Sequence, residues 1–121
     1  MSVIRVKTLT IQLIDAQPDR IRICRIDGES LVTVVVPRED LTEAKSLPNI
    51  PQRGIYYLLD EDHGNVSRVY AGQTTQGIAR LDAHKAKKEF WNKAIMFLDD
   101  DQNISRDALD VLEAKAIDYV R

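Results

Sequence analysis

The first third of the chain alternates apolar and polar residues with the period of β-strands. In the opening run, Leu9, Ile11 and Leu13 occupy every second position, which is typical of a strand with one apolar face. Turn-forming residues such as Pro18 and Gly28 interrupt the alternation. The pattern predicts a small β-meander or hairpin element made of three strands: residues 4–14, 20–26 and 31–36.

A short helix and a linker are predicted after these strands. Pro37 precedes two carboxylates, and both features favour a first helical turn, because proline is tolerated there and the helix dipole attracts negative charge. Residues 46–53 contain two prolines and indicate a linker. We therefore expect a β-rich leader of unassigned function over residues 1–50 and a second unit over residues 51–121.

The second unit contains strand and helix patterns in the order β-β-α-β-α. A polar segment that includes Gly64 separates its first two strands, which predicts a hairpin. The middle helix has an apolar stripe at helical spacing, formed by Ala79, Ala83, Ala86 and Phe90. Ser105 is a suitable N-cap for the last helix. The predicted elements are strands at residues 54–59, 66–72 and 93–98 and helices at residues 76–88 and from 105 onward.

The composition excludes several classes of protein. A chain of 121 residues with 44% hydrophobic and 30% charged residues is one ordinary globular domain, or one with a short appendage. The longest apolar stretch, around Val34 to Val36, is far shorter than the roughly 20 residues of a membrane-spanning helix, so no membrane partner is expected. The lone Cys24 excludes an internal disulfide. The amino terminus lacks the apolar centre of a signal peptide, and a cytoplasmic location fits.

Charge is distributed unevenly along the second unit. Residues 68–93 contain six positive and two negative side chains, whereas residues 94–121 contain three positive and seven negative ones. The overall net charge of −2 argues weakly against a nucleic-acid partner. A basic segment can nevertheless attract phosphates, and its simpler interpretation is a solvated helix face. Charge alone leaves both interpretations open.

Three polar residues lie on faces of the predicted helices where they could act as catalytic groups. Glu113 is four residues from Leu109 and from Ile117, so its carboxylate points with the apolar stripe of the last helix. Burying it costs several kcal/mol without a compensating cation. Arg80 and His84 are four residues apart and share one face of the preceding helix. Alone, each of these observations also fits an ordinary polar side chain at the edge of a helix.

Together with two aromatic tripeptides, these residues form a known combination. Its members, in order, are Gly54-Ile55-Tyr56, Tyr70-Ala71-Gly72, Arg80, His84 and Glu113. The combination resembles the GIY-YIG nuclease superfamily over roughly residues 52–121, and residues 90–95 are similar to a stretch common in a bacterial branch of it. The resemblance implies an α+β fold with a small three-stranded, mainly antiparallel sheet flanked by helices, preceded by the β-rich leader.

The resemblance also implies an activity. A member of this superfamily would hydrolyse DNA phosphodiester bonds as a divalent-metal-dependent endonuclease. Glu113 would hold one Mg²⁺ or Mn²⁺ ion, and Arg80 would neutralise charge on the phosphoryl oxygens. Tyr56 would act as general base, assisted by Tyr70 and His84, since a tyrosine normally ionises only near pH 10. The side chains expected to contact DNA are those of Gln73, Thr74, Lys85, Lys87 and Lys88.

Two departures from the superfamily pattern bear on activity. Ala71 replaces isoleucine in the second tripeptide, which changes packing only. The asparagine usually found after the glutamate helix is missing, because Asn92 and Asn103 come too early. We therefore expect a fragment of a longer protein or an incomplete site. The alternative to an endonuclease is a catalytically incomplete GIY-YIG-fold module that binds nucleic acid.

Overall fold

A computed structural model describes Ile4 and residues 6–99 of the chain. The described elements are β1 (Leu9–Leu13), β2 (Arg22–Ile26), β3 (Leu31–Pro37), α1 (Leu41–Lys45), β4 (Arg53–Asp62), β5 (Asn65–Thr74), α2 (Leu81–Lys87) and β6 (Lys93–Asp99). Short 3-10 segments precede both α-helices, at Arg38–Asp40 and Gly77–Arg80. The helix start expected after Pro37 is therefore confirmed.

The predicted fold class is wrong. Within the described residues, all six strands form one antiparallel sheet in the order β1-β2-β3-β6-β4-β5, accompanied by two short α-helices. The small three-stranded sheet was expected to stand apart from the leader. Instead β6 is shared, because it pairs with β4 on one side and with β3 over Leu31–Pro37 on the other. The described part of the chain is mostly β.

Alternation along the central strands explains why they share one core. Val34 of β3, Met96 of β6 and Tyr56 of β4 are cross-strand neighbours, and all are at most 1% exposed. Helices α1 and α2 cover this face through side chains such as Leu41 and Leu81. The opposite face carries half-buried apolar residues, including Tyr57, Ile95 and Phe97. Only one face of the sheet is therefore packed against described helices.

The β4–β5 hairpin is confirmed and has a two-residue turn. His63 and Gly64 have φ angles of 49° and 83°. Two successive positive φ values are the property of a type I′ turn, whose twist matches that of the flanking strands. The side chain of His63 is 92% exposed, as expected for a turn residue without a site role.

The buried side of α2 differs from the predicted stripe. Ala79 and Ala86 are exposed, whereas Ile78, Leu81 and His84 are buried. Burial of a leucine or isoleucine side chain contributes about 1.5 to 3 kcal/mol, more than a single methyl group can. The large side chains therefore decide which face turns inward, and this rotation carries His84 into the interior.

No helix among the described residues has both the length and the apolar character needed to cross a bilayer.

Candidate functional site

Four of the five residues predicted to act in catalysis meet at one cleft. Tyr56 comes from β4, Tyr70 from β5, Arg80 from the 3-10 turn before α2, and His84 from α2 itself. The cleft has a volume of about 340 Å³. It is lined by Tyr56, Tyr70, Gly72, Gln73, Thr74, Thr75, Gln76 and Arg80. Glu113, the fifth residue, lies outside the described part of the chain.

His84 lies beneath the cleft between the two tyrosines. The Oη atom of Tyr56 is 2.5 Å from Nε2 of His84, within hydrogen-bonding distance. The ring centroids of Tyr70 and His84 are 5.2 Å apart. His84 is only 4% exposed and Tyr56 only 1%. The contact is therefore a buried aromatic hydrogen bond at the floor of the cleft.

The environment of His84 keeps its imidazole neutral. Burial away from water, and after it the nearby positive charges of Arg80, Lys88 and Lys87, together lower the pKa of His84 from 6.5 to about 4. Both causes disfavour the protonated ring. At neutral pH the ring consequently has one nitrogen that can accept a hydrogen bond. When that nitrogen is Nε2, the Tyr56 hydroxyl is the donor.

The two adjacent tyrosines of β4 have different surroundings. Successive strand residues point to opposite faces of a sheet. Tyr56 points toward α2 and the cleft, whereas Tyr57 is half-buried on the other face and packs edge-on against Phe97. Alternation alone would allow one tyrosine to fill the core and the other to reach the site. Tyr56 belongs to both.

Arg38 of the leader fixes the carboxyl-terminal end of α2. Its Nη1 atom donates to the carbonyl oxygens of Lys88 at 2.7 Å and of Trp91 at 3.2 Å, and its Nη2 atom donates to that of Lys85 at 2.8 Å. The guanidinium also stacks 4.7 Å from the centre of the Trp91 ring. Helix carbonyls at this end have no partners within the helix. Arg38 donates the missing hydrogen bonds and thereby holds in place the helix that carries His84.

Gly72 makes room for the Tyr56 ring. The two residues are cross-strand partners in the β4–β5 hairpin. A Cβ atom at position 72 would lie 2.5 Å from the Tyr56 hydroxyl oxygen and 2.6 Å from its Cζ atom. Tyr56 can reach His84 in this orientation because residue 72 has no side chain.

We expect Gly72→Ala to displace the Tyr56 ring and break its hydrogen bond with His84. The overpacking should lower the free energy of unfolding by about 1 to 3 kcal/mol. Urea unfolding and NMR signals of the His84 ring nitrogens would measure the two effects. Gly64→Ala is the control, because a Cβ there meets nothing within 4 Å. It should cost stability without moving the His84 signals, and unchanged His84 signals in Gly72→Ala would contradict the prediction.

Cationic side chains lie near the cleft. The Nζ atom of Lys88 is 4.8 Å from the centre of the Tyr70 ring, a cation–π contact. Lys87 and Arg80 are close enough to act on the charge of His84. Lys85 is exposed on the same helix. Two of the predicted DNA-binding lysines, Lys85 and Lys87, thus lie on α2, and the third, Lys88, follows its last residue.

Gln73 and Thr74 have different freedom to bind a ligand. Thr74 is 3% exposed. Its hydroxyl donates to the Gly77 carbonyl oxygen at 3.2 Å and accepts from the Gln76 backbone N–H at 3.0 Å. Those bonds shape the turn into the 3-10 segment. Gln73 is half-buried and lines the cleft, so it is better placed than Thr74 to contact a substrate.

The described side chains do not by themselves form a metal site. Mg²⁺ and Mn²⁺ prefer oxygen ligands, and carboxylates above all. Among the residues that the structure describes, no carboxylate lines the cleft, and no three His, Cys, Asp or Glu side chains are grouped as metal ligands. Glu113, the metal ligand predicted from the sequence, falls beyond residue 99 and outside the described residues.

Sequence reasoning missed Arg38 and Trp91 as supports of the site. Trp91 is 1% exposed, and its indole N–H donates to the His84 carbonyl oxygen at 3.4 Å. Arg38 lies 50 residues before Lys88, whose carbonyl it binds. No periodicity or motif links positions so far apart. The sequence drew attention to Trp91 in one way only, through the similarity of residues 90–95 to a stretch common in a bacterial branch of the superfamily.

The resemblance to GIY-YIG nucleases predicted from the sequence includes four residues that line the cleft, Tyr56, Tyr70, Gly72 and Arg80. The predicted resemblance uses Gly54-Ile55-Tyr56, Tyr70-Ala71-Gly72, Arg80 and His84, together with Glu113 beyond the described range. Comparisons with protein-family models, with curated proteins and with solved structures found no match to this chain.

Proposed function

We propose that the protein is a divalent-metal-dependent endonuclease that hydrolyses DNA phosphodiester bonds in the cytoplasm. The observation that carries the proposal is the cleft itself, where Tyr56 is hydrogen-bonded to a neutral His84 beside Arg80. Phosphodiester hydrolysis requires a proton acceptor for the attacking water and positive charge for the developing oxyanion. The cleft contains a candidate group for each requirement.

In the proposed reaction, His84 allows Tyr56 to act as a base. As the oxygen of Tyr56 accepts a proton from water, its own hydroxyl proton passes to Nε2 of His84, 2.5 Å away. Bound phosphates would also weaken the influence of the Arg80, Lys87 and Lys88 charges, which are part of the cause of the low pKa of His84. Substrate binding therefore makes the imidazole a better proton acceptor at the moment when one is needed.

Arg80 is the proposed phosphate contact. Its guanidinium lines the cleft beside Tyr70, and a planar fork of N–H donors matches the spacing of two phosphoryl oxygens. Lys87 and Lys88 extend the positive charge along α2, so DNA binding should weaken as salt rises.

We propose Glu113 as the residue that holds the Mg²⁺ or Mn²⁺ ion. The cleft otherwise presents hydroxyls, amides and a guanidinium, so a carboxylate would supply the negative charge that a divalent cation requires. The ion would stabilise charge on the phosphate. Mn²⁺ binding measured by electron paramagnetic resonance should be lost in Glu113→Ala and kept in Asp110→Ala, which removes a neighbouring acid.

The deciding experiment is nicking of supercoiled plasmid, measured with Mg²⁺ and with a chelator, beside a gel-retardation assay at fixed salt. The proposal expects nicking only with the metal. An absence of nicking combined with metal-independent DNA retardation would overturn it and favour the second candidate.

The second candidate is a DNA-binding module with the same cleft and no cleavage. The absence of a carboxylate from the described cleft lining favours it, as does the row of lysines on α2. Such a module would bind DNA through Arg80, Lys87 and Lys88 with a strong salt dependence. Chelation of metal would leave its affinity unchanged.

A further inference from the structure

Strand β1 is an edge of the sheet with an unusual composition. Its five residues are all exposed, and Leu9, Ile11 and Leu13 retain 57%, 52% and 39% of their accessible surface. The strand contains no charge, proline or glycine. Edge strands normally carry such residues because they discourage pairing with another chain. β1 lacks these protective features.

The hydrogen bonds of β1 show which backbone groups point outward. The Asp27 N–H donates to the Thr8 carbonyl oxygen at 2.9 Å, and the Ile14 N–H donates to that of Ile21 at 3.2 Å. In an antiparallel ladder every second residue bonds to the partner strand. Thr8 and Ile14 are even-numbered, so the backbone N–H and C=O groups of Thr10 and Gln12 also point toward β2.

The odd-numbered residues of β1 therefore direct their N–H and C=O groups away from the sheet. These are Leu9, Ile11 and Leu13, and no strand among residues 6–99 pairs with that side. Their side chains share one face, because alternate strand residues point the same way. Ile11 is the cross-strand neighbour of Cys24, and Cys24 that of Thr33 and then Phe97. The three side chains thus extend the face opposite α2.

From this edge we infer that β1 pairs with β1 of a second copy of the chain, antiparallel about a twofold axis at Ile11. Leu9 of each copy then lies opposite Leu13 of the other, and Ile11 lies opposite Ile11. Each of these pairs exchanges two backbone hydrogen bonds, about six in total. The two sheets become one continuous sheet, and the apolar edge residues of both copies pack on one side.

Charge favours the same register. Two positions beyond the paired residues, the axis brings Lys7 of one copy near Asp15 of the other, which lies in the turn that follows β1. Their side chains are 59% and 69% exposed. Each already has an oppositely charged neighbour in its own chain, Glu29 for Lys7 and Arg20 for Asp15, so the pairing would extend these into a small network. The other edge, β5, carries the charge of Arg68 and borders the cleft, which makes it the poorer partner.

Sedimentation equilibrium of the full chain tests the inference. The wild type should have the mass of a dimer at submillimolar concentration, and Ile11→Lys should be a monomer because it places two lysines across the axis. Ile11→Pro should also be a monomer, and its β1–β2 ladder should survive because the Ile11 N–H points outward. Val66→Lys, an equally exposed apolar residue on β5 at 47%, should remain a dimer.

Charge pairing tests the register. Leu9→Lys and Leu13→Glu should each dissociate the dimer, and the double variant should restore it because each introduced lysine then faces an introduced glutamate. A monomeric wild type, whether its edge is left bare or covered by another part of the chain, would overturn the inference. So would a dimer that withstands Ile11→Lys or dissociates in Val66→Lys. Failure of the double variant to recover would overturn the register.

Discussion

Tyr56→Phe should lower the single-turnover rate of plasmid nicking by a factor of about 10² to 10⁴, the usual effect of removing a general base. The substitution removes the oxygen that lies 2.5 Å from Nε2 of His84 and keeps the ring that fills the core. DNA affinity should stay near that of the wild type, because the phosphate contacts assigned to Arg80 and the lysines are untouched. Rates and affinities measured at the same salt concentration separate the two effects.

Tyr57→Phe is the matched control for this prediction. It removes the same atom from the adjacent residue, but Tyr57 points to the opposite face and packs against Phe97. Its nicking rate should equal that of the wild type. Equal rates for Tyr56→Phe and the wild type would show that the Tyr56 hydroxyl takes no part in the chemistry. A similar loss in both variants would mean that the effect is on folding.

The strands and the hairpin could be predicted because their signals are local. Alternating apolar residues, β-branched side chains and Gly64 at the turn act over a few positions. The pairing of β3 with β6 could not be predicted in this way. Period two shows which side chains share a face, but it does not show which strand lies alongside. Val34 and Met96 are 62 positions apart and become neighbours only in the folded sheet.

The two tripeptides were informative for a reason that only the structure gives. A Cβ atom at Gly72 would strike Tyr56, and one at Gly54 would overlap the carbonyl oxygen of Phe97 on β6. Gly72 therefore allows the approach that brings Tyr56 to His84, and Gly54 allows β4 to lie close to β6. The tripeptides contain a glycine at each of these positions, but the sequence alone does not show which neighbouring atoms require it. The support from Arg38 has no such motif and could not be found.

The buried histidine makes stability depend on pH in a defined window. Burial and neighbouring cations lower the pKa of His84 from 6.5, its ordinary value, to about 4. Above pH 6.5 the ring is neutral in both the folded and the unfolded chain, so it adds no pH dependence. Between these values the unfolded chain binds a proton that the folded chain does not, and the free energy of unfolding falls as the pH falls. Below about pH 4 both states are protonated and the dependence ends.

The expected loss between pH 6.5 and pH 4 is about 3 kcal/mol, because each pKa unit corresponds to about 1.4 kcal/mol. Urea unfolding of the wild type and His84→Gln across this range isolates the contribution, since the carboxylates titrate in both. The difference between the two stabilities should shrink steadily as the pH is lowered, because only the wild type contains the buried imidazole. His63→Gln, which removes the exposed histidine of the hairpin turn, should follow the wild type throughout. Parallel curves for the wild type and His84→Gln would mean that His84 is protonated without cost in the fold, and the neutral proton acceptor beneath Tyr56 would have to be abandoned.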